Sequence, residues 1–400
     1  MIEGSRYRWV LVASLFFILL LFWGSYYSFG IFLKPLAQEF GWSRAATSGP
    51  FALSLVLQGF LGILAGALTD RYGPRPILLA GTVAASLGYL LMARLSSLTE
   101  LYLYFGVLVG LGTSASYVVP VATIPRYFDK QRGLALGIAL AGIGVGQMTF
   151  PPLTSFLTQG QGWRYAFLVV GLVLGVGGIL ASLVPRPYPR EAYTRGSTPW
   201  QAMGGLRFWA LFAIWFMAAL PLQIVMVHIV PYATDKGFGP GAAALTLTIM
   251  GLTVTLARVA VGGISDRMGN RPVYFICLGL QFLIMFWLIR GGSLGGLYLA
   301  ALVFGIGYGG AAVVFAKIVA EVYGLASLGA IMGLLGLGWY LGAAVGAPLA
   351  GWVFDLRHSY SLAFLAGGTA LGLALILGYA VLRPSAGGQR RREASPSGEP

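Results

Sequence analysis

The sequence predicts an all-α polytopic membrane protein with twelve transmembrane helices in two pseudo-symmetric six-helix halves, and three observations carry that reading. The 400 residues are 58% hydrophobic and 10% charged, with a mean hydropathy of +0.81, whereas a soluble domain carries about 25% charged residues. Apolar runs of roughly twenty residues recur from Trp9 to Leu382, each long enough to cross a hydrocarbon core of about 30 Å as a helix. One polar loop pattern occurs twice, after the second run and after the eighth.

Breaks at charged, Gly and Pro clusters place the spans at 9–35, 45–69, 77–96, 101–125, 131–157, 164–184, 208–233, 241–265, 273–290, 297–317, 327–353 and 361–382. The first run, Trp9 to Phe32, exceeds the core of a secretory signal and no small-residue cleavage site follows it, so it reads as a span. With the N-terminus inside, one face receives Arg6, Arg8, Arg71, Arg75, Arg126, Lys130, Arg132, Arg186, Arg190, Arg195, Arg207, Arg267, Arg271, Lys317, Arg383 and Arg390 to Arg392. The other receives Lys34, Arg44, Arg94, Arg164, Lys236, Arg290 and Arg357. The positive-inside rule then puts both termini in the cytoplasm of a cell whose plasma membrane holds the chain.

The longest connection, 185–207, is rich in Pro, Gly and Arg and separates an N-terminal half, 1–184, from a C-terminal half, 208–383. The polar tail, 384–400, has too few apolar residues to bury a core and is expected to be disordered. Net charge +14 comes from basic residues scattered between apolar runs, which speaks for topology and against nucleic acid. Cys277 is the only cysteine, so neither an intrachain disulfide nor a cysteine metal cluster is possible; it reads as an apolar filler.

The repeated loop is Gly66-Ala-Leu-Thr-Asp70-Arg71-Tyr-Gly73-Pro-Arg75-Pro76 in the first half and Gly262-Gly-Ile-Ser-Asp266-Arg267-Met-Gly269-Asn-Arg271-Pro272 in the second. Gly66 and Gly262 allow helices to approach closely, Asp70 and Asp266 sit where a helix leaves the membrane, and Gly73 and Gly269 permit a tight turn. The arginines can pair with those carboxylates or with helix C-terminal carbonyls, which would latch the halves on the cytoplasmic side. This pattern resembles the loop signature of the major facilitator superfamily, whose members rock two related halves about a central site.

Two further segments are similar to the monocarboxylate transporter family. They are Tyr7-Arg8-Trp9-Val10 with Ser28-Phe29-Gly30-Ile31-Phe32-Leu33-Lys34 and Phe40-Gly41-Trp42-Ser43, and the run from Tyr127 to Gly142 entering the fifth span. His228-Ile-Val-Pro231-Tyr232-Ala233 and Gly351-Trp352-Val-Phe354-Asp355 resemble bacterial members and the neighbouring oxalate/formate antiporters. The resemblance implies a carboxylate substrate.

All twelve acidic residues fall at loops, helix ends or tails, and among Lys and Arg only Arg258 stands plainly inside a span. It precedes Asp266 by eight residues, about 12 Å of helix, which puts it near the midplane. An arginine there costs at least about 2.5–3.5 kcal/mol on insertion scales, so it should face a cavity and mark a substrate path. Gly251, Thr255 and Gly262 share its face and are small enough to line one. With no intramembrane carboxylate to neutralise it, a substrate carboxylate is the missing partner.

The position also matches the eighth-span arginine the resembled family uses for substrate. Where animal members carry an Asp one turn earlier and a Lys in the first span, this chain has Val254 and Tyr27, so those proton-handling groups are missing. The eleventh-span Lys of dicarboxylate antiporters is missing from Ala326 to Phe354, which favours a monoanion. Tyr117, Tyr308, Trp339 and Tyr340 lie at comparable depth and could complete a pocket, with Tyr27 and His228 nearer the external mouth. Gln58, Gln147 and Gln223 are further polar positions.

An enzyme would need an intramembrane nucleophile, paired carboxylates or a metal cluster, and direct ATP drive would need a phosphate loop; the sequence holds none of these motifs. The expected function is therefore secondary transport of small organic anions, short monocarboxylates of the lactate and pyruvate kind, by alternating access, with a proton as a candidate companion. An anion exchanger of the oxalate/formate type and a non-transporting sensor on the same fold are the alternatives. No cofactor or metal is expected, the bilayer and a small carboxylate are the expected partners, and the chain is expected to be monomeric.

Overall fold

The computed structural model describes residues 5–42, 44–128, 130–186 and 196–382. Asp129, most of the linker (187–195) and the tail with its arginine cluster lie outside the described residues. Twelve helices are long and apolar enough to cross a membrane: α1 Arg6–Leu33, α2 Gly49–Tyr72, α3 Pro74–Met92, α4 Leu98–Tyr127, α5 Arg132–Gln161, α6 Trp163–Ser182, α7 Leu206–Asp235, α8 Leu245–Met268, α9 Asn270–Arg290, α10 Leu294–Tyr323, α11 Leu328–Arg357 and α12 Ser361–Val381. Among the described residues there is no sheet; one isolated bridge joins Gly196 to Gly324.

All twelve expected spans are present, with shifts at their ends that have physical causes. The α4 and α10 helices run past 125 and 317 to Tyr127 and Tyr323, because Arg126 and Lys317 are buried against acidic partners and so do not force the chain out of the protein. Beyond Ser28, the first helical segment resumes as Phe29–Phe40.

The pairing of helices repeats with an offset of six. In the first half α1 packs on α5, α2 on α4 and α3 on α6; in the second α7 packs on α11, α8 on α10 and α9 on α12. The halves meet along two seams, α5 against α8 and α2 against α11. Small residues make those seams tight: a Cβ on Gly66 would meet the Gly329 carbonyl, one on Gly133 the Gly262 carbonyl, one on Gly137 the Arg258 carbonyl, and one on Gly333 would lie 2.6 Å from the Gly62 carbonyl. These contacts all lie on the side of the repeated loops. Further along, Gly144 meets Thr255 and Gly59 meets Tyr340, but Gly251, one turn beyond Thr255, faces open space. The seams are thus closed toward the loop-motif face, and the α5/α8 seam loosens beyond the level of Thr255.

Candidate functional site

Each motif aspartate caps a helix of the opposite half. The helix containing α11 starts at Leu328, after a Ser327 whose side chain makes no cap bond. Its second and third amides, Gly329 N and Ala330 N, donate to Asp70 Oδ1 and Oδ2 at 3.0 and 2.9 Å. At the other seam α5 starts after Gln131, which also gives no side-chain cap, and Gly133 N and Leu134 N donate to Asp266 Oδ1 and Oδ2 at 2.8 and 3.0 Å. A carboxylate at a helix N-terminus satisfies orphan amides and meets the positive end of the helix dipole. The glycines at the second helical positions let the donor and acceptor helices come that close.

The basic partners differ from those expected. Asp70 pairs with Arg126 of α4 at 2.5 Å and Asp266 with Lys317 of α10 at 2.5 Å, each inside its own half. Arg126 also donates to the Leu325 carbonyl of the opposite half at 2.6 Å, and Lys317 to Ser265 Oγ at 2.8 Å. Of the motif's own arginines, Arg71 lies over the Tyr72 ring at 5.3 Å; Arg75 and Arg267 are exposed and Arg271 is half-buried. Gly73 and Gly269 adopt φ of 85° and 88°, the left-handed region a tight turn needs.

Arg258, 4% exposed, stands at the α5/α8 seam above these caps. Its Nη1 donates to the Leu140 carbonyl across the seam at 2.7 Å, its Nε is buried without a partner, and its Cζ lies 5.9 Å from the centre of the Tyr308 ring. Among the described residues it forms no ion pair. One carbonyl uses one of five guanidinium N–H groups.

Of the expected aromatics, Tyr308 lies beside it and the others connect to Tyr308 or to one another. Tyr308 stacks on Trp339 at 5.9 Å and 15°, and Trp339 packs on Trp215 at 4.6 Å. Tyr117 and Tyr27 both lie within electrostatic reach of Arg258 and Tyr308, and Tyr340 within reach of Tyr27 and Tyr117. Tyr27 is 40% exposed and stacks on Trp23. Tyr340 donates its hydroxyl across the α2/α11 seam to Gln58 Oε1 at 3.3 Å. One tyrosine of the C-terminal half thus lies at Arg258 and another at Gln58.

His228 is placed elsewhere. Its Nε2 donates to the Ala347 carbonyl at 2.9 Å and its Nδ1 accepts from the Tyr360 hydroxyl at 3.4 Å, so both ring nitrogens serve packing of α7 on α11 and α12. The structure adds Trp215, Leu140, Arg126 and Lys317 to the residues singled out in sequence. Trp215 and the Leu140 carbonyl carry no chemical signal that would have marked them, but two basic residues at the helix ends nearest the duplicated aspartates could have been matched to them.

A family model described as the Major Facilitator Superfamily matches residues 15–289 and 216–399. The chain belongs to the Major Facilitator Superfamily. Among curated relatives, Monocarboxylate transporter 13 of Rattus norvegicus is 29% identical over 376 residues, 91% of this chain and 86% of that protein. Monocarboxylate transporter 11 of Homo sapiens is 31% identical over 399 residues, 95% and 84% of the two chains. Among solved structures, the proton:xylose symporter XylE bound to 6-bromo-6-deoxy-D-glucose superposes with a TM-score of 0.81 at 16% identity, covering 95% of this chain and 97% of that one. The human organic anion transporter MFSD10 (TETRAN) gives 0.74 at 16% identity, covering 94% and 100%; at such identities the likeness is one of fold. A superfamily member of this architecture is a transporter rather than a catalytic enzyme, and moves a small solute by alternating access of its two halves.

Proposed function

We propose that this superfamily member transports small organic anions, short monocarboxylates of the lactate and pyruvate kind, with Arg258 as the anion anchor. The observation that carries the reading is Arg258 itself: a buried guanidinium between the halves, with one carbonyl partner, an unpartnered Nε and no carboxylate. The guanidinium binds a carboxylate in a two-pronged fork, and the ring faces of Tyr308 and Trp339 would cover a short apolar body. Relatives near 30% identity that bear the name monocarboxylate transporter support the same substrate class.

Alternating access maps onto the seams. In the observed state Asp70 and Asp266 hold the motif face shut through backbone amides of the opposite half. Opening that face releases the amides and the Arg126 bond to Leu325, but leaves both ion pairs intact, because each lies within one half. Arg126 and Lys317 thereby keep the carboxylates neutralised in both states, which lowers the cost of opening. The Arg258 bond to Leu140 crosses the seam as well, so an anion that recruits the guanidinium competes with a closing contact and links occupancy to the change of state.

Reconstituted protein should show saturable uptake of labelled L-lactate or pyruvate into proteoliposomes. Binding without flux would turn the reading to a sensor, and flux that needs a second anion inside, at clamped voltage and pH, to an exchanger.

A further inference from the structure

We infer that the stretch from Gly196 to Trp209, where the linker enters α7, is a membrane-surface anchor. Trp200, Leu206 and Trp209 seat in the headgroup layer of the leaflet on the motif face, and Arg207 lies against anionic headgroups there. The inference is independent of the substrate and of Arg258.

The stretch is mounted on the C-terminal half by its backbone. Ser197 N donates to the Tyr323 carbonyl at 2.9 Å, and Gly196 pairs with Gly324 in the loop between α10 and α11. A capping box then starts the short helix Pro199–Met203: Gln201 N donates to Thr198 Oγ1 at 3.3 Å and Thr198 N to Gln201 Oε1 at 2.9 Å. Ala202 of that helix is buried in the core. Trp200, two residues earlier and so about 200° round the helix, points away from that contact. Trp200 and Leu206, at 81% and 80%, are more exposed than any other large apolar side chain among the described residues.

What covers this apolar surface follows from its continuity with the lipid-facing surface of α7. Leu206 opens that membrane-spanning helix. Trp209, exposed one turn later, donates its indole N–H to the Met203 carbonyl at 2.9 Å, which ties the short helix to the membrane end of α7. Met203 is three residues after Trp200, on the same side of the short helix. Indole rings favour the headgroup level, where one edge is apolar and the other polar. Arg207 is exposed beside Leu206 and forms no ion pair among the described residues. Lipid phosphates complement its charge, and the charge asymmetry of the loops makes the motif face the cytoplasmic one, whose leaflet carries the anionic lipid. The bilayer therefore fits the patch in both its apolar and its charged part.

The test is nitroxide depth measurement on the whole chain in nanodiscs of phosphatidylcholine, with and without phosphatidylglycerol. In a Cys277→Ala background, labels at Trp200→Cys and Leu206→Cys should collide more often with oxygen than with a water-soluble nickel chelate, the pattern of sites at or below the headgroups. Both should lie deeper when phosphatidylglycerol is present, and Arg207→Gln should abolish that deepening. A label at Trp200→Cys that meets the nickel chelate as freely as a water-exposed loop would overturn the anchor, whether that side chain faces water or a soluble protein. Depths that ignore phosphatidylglycerol would overturn the role of Arg207. Should the Cys277→Ala protein fail to fold, the fluorescence difference between wild type and Trp200→Phe replaces the label. Brominated lipid should quench it and aqueous iodide should not; the reverse would overturn the anchor.

Discussion

Replacing Asp70 by Asn should open the motif face, and the size of the effect follows from which contacts cross the seam. The carboxylate makes three: two amides of α11 in the opposite half, and Arg126 in its own half. Loss of the buried pair with Arg126, whose side chain is 1% exposed, destabilises the fold as a whole by up to about 3–5 kcal/mol, but it weighs on open and closed states alike. Only the amide bonds, together with the seam bond of Arg126 to Leu325, distinguish the states. Asn retains one neutral acceptor for two charge-assisted bonds, so the closed state should lose about 1.5–3 kcal/mol relative to the open one, a shift of about 10- to 150-fold. Spin labels at Tyr72 and Met268, exposed ends of α2 and α8, would report the separation of the halves by pulsed electron resonance. A longer-distance population should grow in Asp70→Asn and in Asp266→Asn, and most in the double variant, since the seams are independent. A distance distribution identical to wild type in folded Asp70→Asn protein would refute the capping account of the gate.

Other outcomes follow from the same geometry. Gly329→Ala would place a methyl group 2.9 Å from Asp70 Oδ1 and against the Gly66 carbonyl, so it should hold the motif face open and slow transport, read by the same labels and by uptake, without weakening equilibrium binding at Arg258. His228→Gln should retain pH-driven uptake, because both ring nitrogens are engaged in packing; loss of pH coupling in correctly inserted protein would give the histidine a proton-carrying role. On the face opposite the motif, the Trp163 indole N–H and then the Arg164 guanidinium hold the Glu39 carboxyl below its ordinary pKa. A depressed folded pKa means the tie is fully present above the ordinary Glu value and is lost as pH falls through the folded one. Glu39→Gln should therefore lower the melting temperature slightly at pH 6, an effect of about 0.2–1 kcal/mol for an exposed pair, and the difference from wild type should vanish in acid; a difference that persists below that range would exclude the ion pair as its cause.

The fold was legible because a bilayer imposes length and hydropathy on every span, and because the GxxxDRxGxRP loop repeats at matched places. That Arg258 lies buried inside a span was legible, because a charge within an apolar run stands out in the sequence. What the two aspartates touch was not legible: their acceptor partners are backbone amides, which every residue has, and only Gly133, Gly329 and the missing cap side chains at Gln131 and Ser327 hint at them. Arg126 and Lys317 read as span-ending charges in sequence, since burial next to an aspartate on another helix is a tertiary fact. The packing partners of His228 were not legible, because the Ala347 carbonyl that holds it belongs to a helix more than a hundred residues later.

Binding of a short carboxylate by Arg258 variants tests the central claim most directly. Arg258→Gln relieves a membrane penalty of roughly 2.5–3.5 kcal/mol and gives up the Leu140 bond, so the protein should insert and fold while saturable binding of pyruvate or L-lactate disappears. Arg258→Lys keeps the charge without the two-pronged geometry and should weaken binding by about 1.5–3 kcal/mol, roughly 10- to 150-fold. Titration of wild type, Lys and Gln variants should give affinities in that order, with no measurable binding for Gln; a folded Arg258→Gln protein that binds these acids as tightly as wild type would contradict the account.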